Sequence, residues 1–507
     1  MEETPAIRTV RAAFWDYVVL LLGKGLTIPL LLVVLGLMTR LLGNDGYGRL
    51  AVFLLVGQFF FLVAANWPGA AVIRFGREEF LRTGRLGRTF WASNLILLVT
   101  TIVVASAVLV FHSPLLDYID IPELSAWMLV VYLLAFTVNN YASRVLQATE
   151  NLRFGAFLNP ISLAVTTAAL LLVGFTHPRF TMVAVIAAYL LGKLVSGVWG
   201  FAWCGRKLYH PVILDTDQVK RILRFSYPLL VGTLCNYVVG SIDIFVIKRF
   251  LTPPDVGLYA LAYQGMTVLS EVPLAAMTLT APLVLTFRTE NKDHLTRRYI
   301  DTVIPGAVFV WSLLLVPVVF LAPILIPLVS SSEFAGSTLS FRILCVAVSF
   351  AALRALYYSI YTNYDMTKAF SVVTAILAGV NVLADIILVP RLGIVGAAIG
   401  TTIAFAIASL LDVILCQRRL AIRQTAQIAM VLPILVYVLL VTFSNSILFD
   451  ALAALVVLAV SILVARMLGV IDLSHLDLFS QVDMPDAVRK LLTWTYRLVA
   501  TERKPRS

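Results

Sequence analysis

The chain has 507 residues, of which 60% are hydrophobic and 13% charged. A soluble fold carries about 25% charged residues and about half apolar ones, so a soluble enzyme or a soluble binding module is excluded. The formal net charge of +11 does not point to nucleic acid either, because the basic residues sit between apolar stretches, where they orient helices in a bilayer.

Backbone groups in lipid must be satisfied within a helix or a closed barrel. The apolar runs here are continuous rather than alternating, which selects helices. The expected fold class is therefore all-α, a polytopic membrane protein with about fourteen transmembrane helices of roughly 20 residues each. Residues 1–13 are polar and form a cytoplasmic N-terminal segment. The first apolar run is too long for a cleaved signal core and is expected to remain as a span. Spans are predicted near 15–39, 49–73, 89–111, 125–148, 156–175 and 181–204, an N-terminal six-helix lobe over 14–208. A cytoplasmic linker follows over 209–223. A C-terminal six-helix lobe over 224–420 holds spans near 224–248, 257–286, 300–322, 339–361, 369–389 and 393–416. Two additional helices, near 427–444 and 450–467, fill 421–467. The tail over 468–507 reads as a cytoplasmic amphipathic segment: Asp483 before Pro485 is a helix start, and Val488, Leu491, Leu492, Leu498 and Val499 share a face.

Loop charges test this arrangement. With both termini cytoplasmic, the cytoplasmic loops hold Arg74, Arg77, Arg82, Arg85 and Arg88, then Arg206, Lys207, Lys220, Arg221 and Arg224, then Arg288, Lys292, Arg297 and Arg298, then Arg418, Arg419 and Arg423. The far side holds mainly acids such as Asp117, Asp120, Glu123, Glu333 and Asp450; the exceptions, Arg40, Arg179, Lys248, Arg249 and Arg391, each lie tight against a helix end. That asymmetry is the positive-inside pattern.

Two stretches repeat. Arg40-Leu41-Leu42-Gly43-Asn44-Asp45-Gly46-Tyr47-Gly48-Arg49-Leu50-Ala51 is matched by Arg249-Phe250-Leu251-Thr252-Pro253-Pro254-Asp255-Val256-Gly257-Leu258-Tyr259-Ala260. Arg40 pairs with Arg249, Gly48 with Gly257 and Ala51 with Ala260. Pro178-Arg179 with Cys204 to Leu208 recurs as Pro390-Arg391 with Cys416 to Leu420. The chain thus reads as two related halves, pseudo-symmetric lobes of the same orientation about an axis along the membrane normal.

No phosphate-binding loop, metal-ligand cluster or nucleophile motif stands at a plausible site, so no catalytic residue, metal or cofactor is expected. The predicted loops are short, which favours transport over catalysis. The four cysteines lie in or beside apolar segments and are expected to be free. Gly393, Gly396 and Gly400 read as close helix packing rather than a nucleotide loop.

Ionisable residues inside spans are costly and usually face a cavity or a partner. The candidate substrate-binding set is Lys24, Arg144, Lys193 and Arg354, because a basic cavity suits an anion and guanidinium holds phosphate bidentately. Lys24 and Arg144 also lie within snorkelling reach of a helix end, and Arg342 is expected to snorkel. Arg144 and Arg354 fall at nearly corresponding places in the two halves. The candidate ion-coupling carboxylates are Asp243, whose partner is expected on another helix, and Glu271, which precedes Pro273 within a long span. Asp385 and Asp412 read as structural or near-surface. Asn66-Trp67-Pro68 is expected to kink the second span, and Asn139 and Asn140 to line a cavity or bond another helix.

The repeated stretches, together with Pro390-Arg391-Leu392-Gly393-Ile394-Val395-Gly396-Ala397-Ala398, resemble the polysaccharide-type flippases for O-antigen and other lipid-linked oligosaccharides. These belong to the multidrug/oligosaccharidyl-lipid/polysaccharide exporter superfamily, and the resemblance covers residues 14–467. It implies two six-helix lobes, two additional helices, a location in the inner (cytoplasmic) membrane, and movement of a polyprenyl-pyrophosphate-linked glycan between leaflets. Asp243 matches an acidic position before the second motif; no substrate residue is carried over. The partners implied are that glycan lipid, membrane lipids, and H+ or Na+. Alternatives within the superfamily are a peptidoglycan lipid-precursor flippase and a drug/cation antiporter. From other classes, a membrane-embedded sugar polymerase or transferase and a non-transporting scaffold compete.

Overall fold

The computed structural model describes residues 5–176, 182–420, 426–444 and 446–468. The amphipathic helix expected in the tail and the Pro178-Arg179 element lie outside the described residues. Regular structure among the described residues is entirely helical, with no strand. Eleven helices are long and apolar enough to cross a membrane. The longest, Gly25–Thr83, contains two of the expected spans, so these eleven account for twelve of them. The remaining two stretches are the helix Pro253–Thr289 and the shorter apolar helix Gln427–Thr442, and neither is among the eleven. All four cysteines are free.

The chain divides into two compact units, Met1–Ala260 with Pro327–Phe334, and Leu261–Ile326 with Ala335–Ser507. In the first unit the opening repeat is not an open loop. One residue, Gly43, breaks the helix Pro5–Phe61 by taking φ 65° and ψ −177°, a backbone conformation that a side chain disfavours. The break frees backbone groups, and side chains take them up. The Asn44 N–H donates to Glu333 Oε2 at 3.4 Å. Arg40 donates from Nε to the Ser330 carbonyl and from Nη2 to the Leu328 carbonyl, each at 2.5 Å, capping carbonyls left over where the helix Ile304–Val329 ends.

The second copy of the repeat joins Thr216–Phe250 to Pro253–Thr289. Thr252 donates its N–H and hydroxyl to Asp255 Oδ2 at 3.1 and 2.6 Å, a carboxylate reaching back to the residue before the helix. Pro253 stands at the first helical position, where its missing N–H costs nothing.

The two copies then pack on each other reciprocally. A Cβ on Gly48 would lie 2.0 Å from the Pro253 carbonyl oxygen, and one on Gly257 would lie 2.1 Å from the Asn44 carbonyl oxygen. Asn44 and Pro253 are themselves equivalent positions of the repeat, so the contact obeys the symmetry of the duplication.

The helix Thr216–Phe250, expected to open the C-terminal lobe, packs within the first unit. Ile222 joins a buried cluster of Trp67, Ala71, Phe75, Ala92 and Ile96, with Phe225 against it. At Asn66-Trp67-Pro68, where the sequence predicts a kink, the backbone stays helical through two π-helical turns that flank the proline, Leu62–Asn66 and Val72–Gly76.

In the second unit, Thr338–Asn363 is the central helix: 78% of its membrane-length window is buried. Thr367–Leu392 and Ile394–Leu420 form a helical hairpin about Gly393, at φ 62°. A Cβ on Gly396 would lie 2.5 Å from the Leu388 carbonyl oxygen and one on Gly400 2.7 Å from Asp385 Oδ1, so these two glycines serve close packing as the spacing predicts, whereas Gly393 has open space beside it and serves the turn.

Adding a methyl group at the repeat contact should therefore be far more damaging than at a glycine with open space beside it. Gly48→Ala or Gly257→Ala is expected to lower the unfolding midpoint in detergent, at a cost at or above about 1–3 kcal/mol. Gly232→Ala, whose Cβ meets nothing within 4 Å, is expected to be neutral or slightly stabilising.

Candidate functional site: a basic strip in the first unit

The helix Ala126–Ala148 places Phe136, Asn140 and Arg144 at four-residue intervals, on one face. Arg144 Nε donates to Asn140 Oδ1 at 3.3 Å, and Nη2 to Asn66 Oδ1 at 3.5 Å. Asn66 is the last residue of the first π-helical turn. The neighbouring helix Met182–Cys204 brings Lys193, whose ammonium lies 5.6 Å from the Phe136 ring centroid and 5.8 Å from that of Tyr189. Asn139 Nδ2 donates to Ser196 Oγ at 2.6 Å, and Ser196 Oγ donates to the Lys193 carbonyl at 3.0 Å, which fixes one helix against the other. Phe136 is held from below by Tyr132, stacked at 4.1 Å, whose hydroxyl donates to Gln58 Oε1 at 3.4 Å.

Lys193 and Arg144 thus mark the two ends of a strip about 12 Å long at 1.5 Å per helical residue. Neither makes an ion pair among the described residues. Their partners are neutral amides and aromatic faces, which orient a cation without cancelling its charge.

The other predicted site residues are distributed differently. Lys24 lies on the first helix, and its side chain is outside the described residues. Asp243 is 2% exposed and accepts a hydrogen bond from the Tyr259 hydroxyl, so its partner is on the next helix, as expected. Glu271 is exposed on Pro253–Thr289, a helix that runs through Pro273 without interruption.

Arg354, in the second unit, meets a partner that the sequence reading did not supply. Its Nη1 lies 3.1 Å from Asp412 Oδ2, the two side chains being 9% and 0% exposed. Asp412 also accepts from the Tyr361 hydroxyl at 2.8 Å, and Arg354 Nη2 donates to Thr374 Oγ1 at 3.3 Å. Arg342 does not snorkel. It is buried, pairs with Asp450 at 3.0 Å and donates to the Val319 and Val441 carbonyls. Sequence spacing could not reveal these pairs, whose members lie on different helices. The signal available was the need of each deep base for an acid, with Asp412 and Asp450 in the same part of the chain.

Comparison with known proteins places this geometry in context. Residues 15–284 match the family model described as polysaccharide biosynthesis protein. The chain is similar to the succinoglycan biosynthesis transport protein ExoT of Rhizobium meliloti, 26% identical over 264 residues, covering 50% of each chain. It is also similar to the probable low-salt glycan biosynthesis flippase Agl15 of Haloferax volcanii, 23% identical over 235 residues, covering 45% of this chain and 48% of that one. The chain spans about half the length of the curated relatives it matches. Among solved structures, the lipid II flippase MurJ in an inward closed conformation aligns with TM-score 0.64 and 15% identity, over 88% of this chain and 98% of that one. An inward-facing multidrug resistance MATE family transporter of the MOP superfamily aligns with TM-score 0.58 and 14% identity, over 79% and 94%. At these identities the structural likeness concerns the fold alone.

The two kinds of intramembrane base should respond differently to mutation. Asp412→Asn leaves Arg354 as an unpaired buried charge and is expected to cost about 3–5 kcal/mol of stability. The double change Arg354→Met with Asp412→Leu should recover most of it, whereas Arg144→Gln should leave the unfolding midpoint nearly unchanged. Thermal unfolding of the purified variants in detergent measures all three.

Proposed function

The chain belongs to the polysaccharide biosynthesis protein family, and from that premise we propose that it moves a polyprenyl-pyrophosphate-linked oligosaccharide across the cytoplasmic membrane by alternating access. The observation that carries this reading is the strip of Lys193 and Arg144, two cations inside membrane-length helices that make no ion pair among the described residues. A charge in that position is expensive unless a ligand or water compensates it, and pyrophosphate is an anion that will not enter hydrocarbon alone. The guanidinium and ammonium supply donors to phosphoryl oxygens, while Asn66, Asn139 and Asn140 offer neutral hydrogen-bonding groups.

The lipid tail has a separate candidate place in the second unit. An apolar groove of about 380 Å³ is lined by Phe309, Met430, Pro433, Val456, Val460 and Val464, formed largely by the two helices that have no counterpart in the repeat. An isoprenoid chain fits its chemistry. Glu271, an exposed carboxylate on a membrane-length helix, and Asp243, hydrogen-bonded to Tyr259, are the proposed sites of exchange with H+ or Na+. Both termini are proposed to be cytoplasmic, on the charge asymmetry of the loops. The protein acts without a cofactor and makes no covalent change in its cargo. A cationic drug as cargo is disfavoured by the sign of the strip.

Leaflet exchange of a polyprenyl-pyrophosphate-linked oligosaccharide in proteoliposomes tests the proposal. The wild type is expected to exchange it, and Arg144→Gln and Lys193→Gln each to slow exchange roughly tenfold or more, the effect of one lost charge-assisted hydrogen bond. Absence of exchange by folded wild-type protein would overturn the transport reading. Full exchange by both variants would overturn the strip.

A further inference from the structure

We propose that the first unit carries a second site, a pocket built on the repeated turn that binds neutral pyranose rings; the source of such rings, a translocated glycan, rests on the transport reading above. The pocket has a volume of about 380 Å³ and is lined by Arg49, Asp117, Tyr118, Asp120, Lys248 and Arg249 together with backbone of both repeat copies. That size falls within the range of small-molecule sites, about 300–1,000 Å³. None of its residues belongs to the basic strip.

Charge identifies the class of ligand. Arg49 is already compensated, by Asp45 at 3.1 Å and by Asp120 at 3.4 Å. Asp120 acts on Lys248 as well, Arg249 and Asp117 complete the charged lining, and with Asp45 counted three bases meet three acids. The lining is therefore close to balanced, unlike the strip, and gives no large preference to an anion or a cation. It does offer ammonium and guanidinium donors beside carboxylate acceptors. Adjacent hydroxyls on a sugar ring both donate and accept, so a polyol can use both sets at once, and hydrogen bonds to ionised partners are the strong ones.

The apolar side of a pyranose needs a flat surface. Tyr118 provides one: it lines the pocket, is 39% exposed and is backed by Phe245 at 6.3 Å with a near-parallel ring. The Lys248 ammonium lies 5.1 Å from the same ring centroid. An aromatic body with a polar tip suits a ligand that is apolar on one face and wet at its rim.

The pocket is also held in shape before any ligand arrives. Tyr118 ends the short helix His112–Ile119, Asp120 closes it in a left-handed conformation at φ 62°, and Arg49 Nη1 donates to the Asp120 carbonyl at 2.8 Å. The opposite wall contains Gly48 and Pro253, fixed by the reciprocal repeat contact. Such preorganisation lowers the entropic cost of binding. The loop charges put this end of the unit away from the cytoplasm, where a glycan would be met after crossing.

Saturation-transfer difference NMR on the purified full-length protein tests the site, with glucose, galactose, mannose and N-acetylglucosamine as millimolar probes. At least one sugar is expected to receive saturation at its ring C–H protons. Tyr118→Ala should weaken that binding roughly fivefold, Asp117→Asn should weaken it as well, and Tyr118→Phe should preserve it. No transfer to any of the four sugars, or transfer unchanged in Tyr118→Ala and Asp117→Asn that unfold like the wild type, would overturn the site. Leaflet exchange measured on the same preparations separates the two proposals. Sugar binding without exchange keeps the site and removes the transport reading, and exchange without sugar binding does the reverse.

Discussion

An ionised side chain within a membrane-length helix must find an opposite charge, water or a ligand, and that constraint sorts the interior of this protein. Arg354 and Arg342 have found acids. Each is buried, each is ion-paired, and each has further hydrogen bonds to a hydroxyl or to backbone carbonyls. Such pairs hold helices in register and are costly to break from one side. Among the described residues, Arg144 and Lys193 meet amides and aromatic rings. The same chemistry that makes the first pair of bases structural is the ground on which the second pair is proposed to receive an anion.

The duplication gives this contrast its meaning. The two halves share a turn whose glycines interlock, Gly48 against Pro253 and Gly257 against Asn44. No larger residue fits at either position without moving backbone, so the contact fixes where the flanking helices begin. Away from the turn the halves have diverged. Arg144 and Arg354 stand at nearly corresponding places, yet one lies beside Asn140 and Asn66 while the other lies against Asp412. One acid, Asp412, is the chemical difference between a base held in an ion pair and a base held by neutral amides.

Much of this was legible in the sequence because lipid imposes simple rules. Continuous apolar runs specify helices, and Gly-rich and Pro-rich turns specify breaks. The repeat, the close-packing role of Gly396 and the off-helix partner of Asp243 follow from residue type and spacing. The merging of the first two spans into one helix broken at Gly43 did not, because a single left-handed glycine and a remote Glu333 do the work expected of a loop. The placement of Thr216–Phe250 in the first unit also escaped, since it depends on Trp67 and Phe75 meeting Ile222 and Phe225. Buried ion pairs between distant helices, such as Arg342 with Asp450, carry no local signature at all.

The central claim is that the anionic part of the cargo rests on the first unit's strip and not on the paired arginine of the second unit. Phe136 lies beneath Lys193 and Phe370 beneath Arg354, each with the cation 5.6 Å from the ring centroid, so the two rings are matched reporters. Replacing each in turn by the photoreactive p-benzoylphenylalanine, and irradiating membranes whose polyprenyl-pyrophosphate glycans carry radioactive phosphorus, measures where the headgroup dwells. The account predicts a labelled adduct at position 136 and none at 370. An adduct at 370 with none at 136 would contradict it.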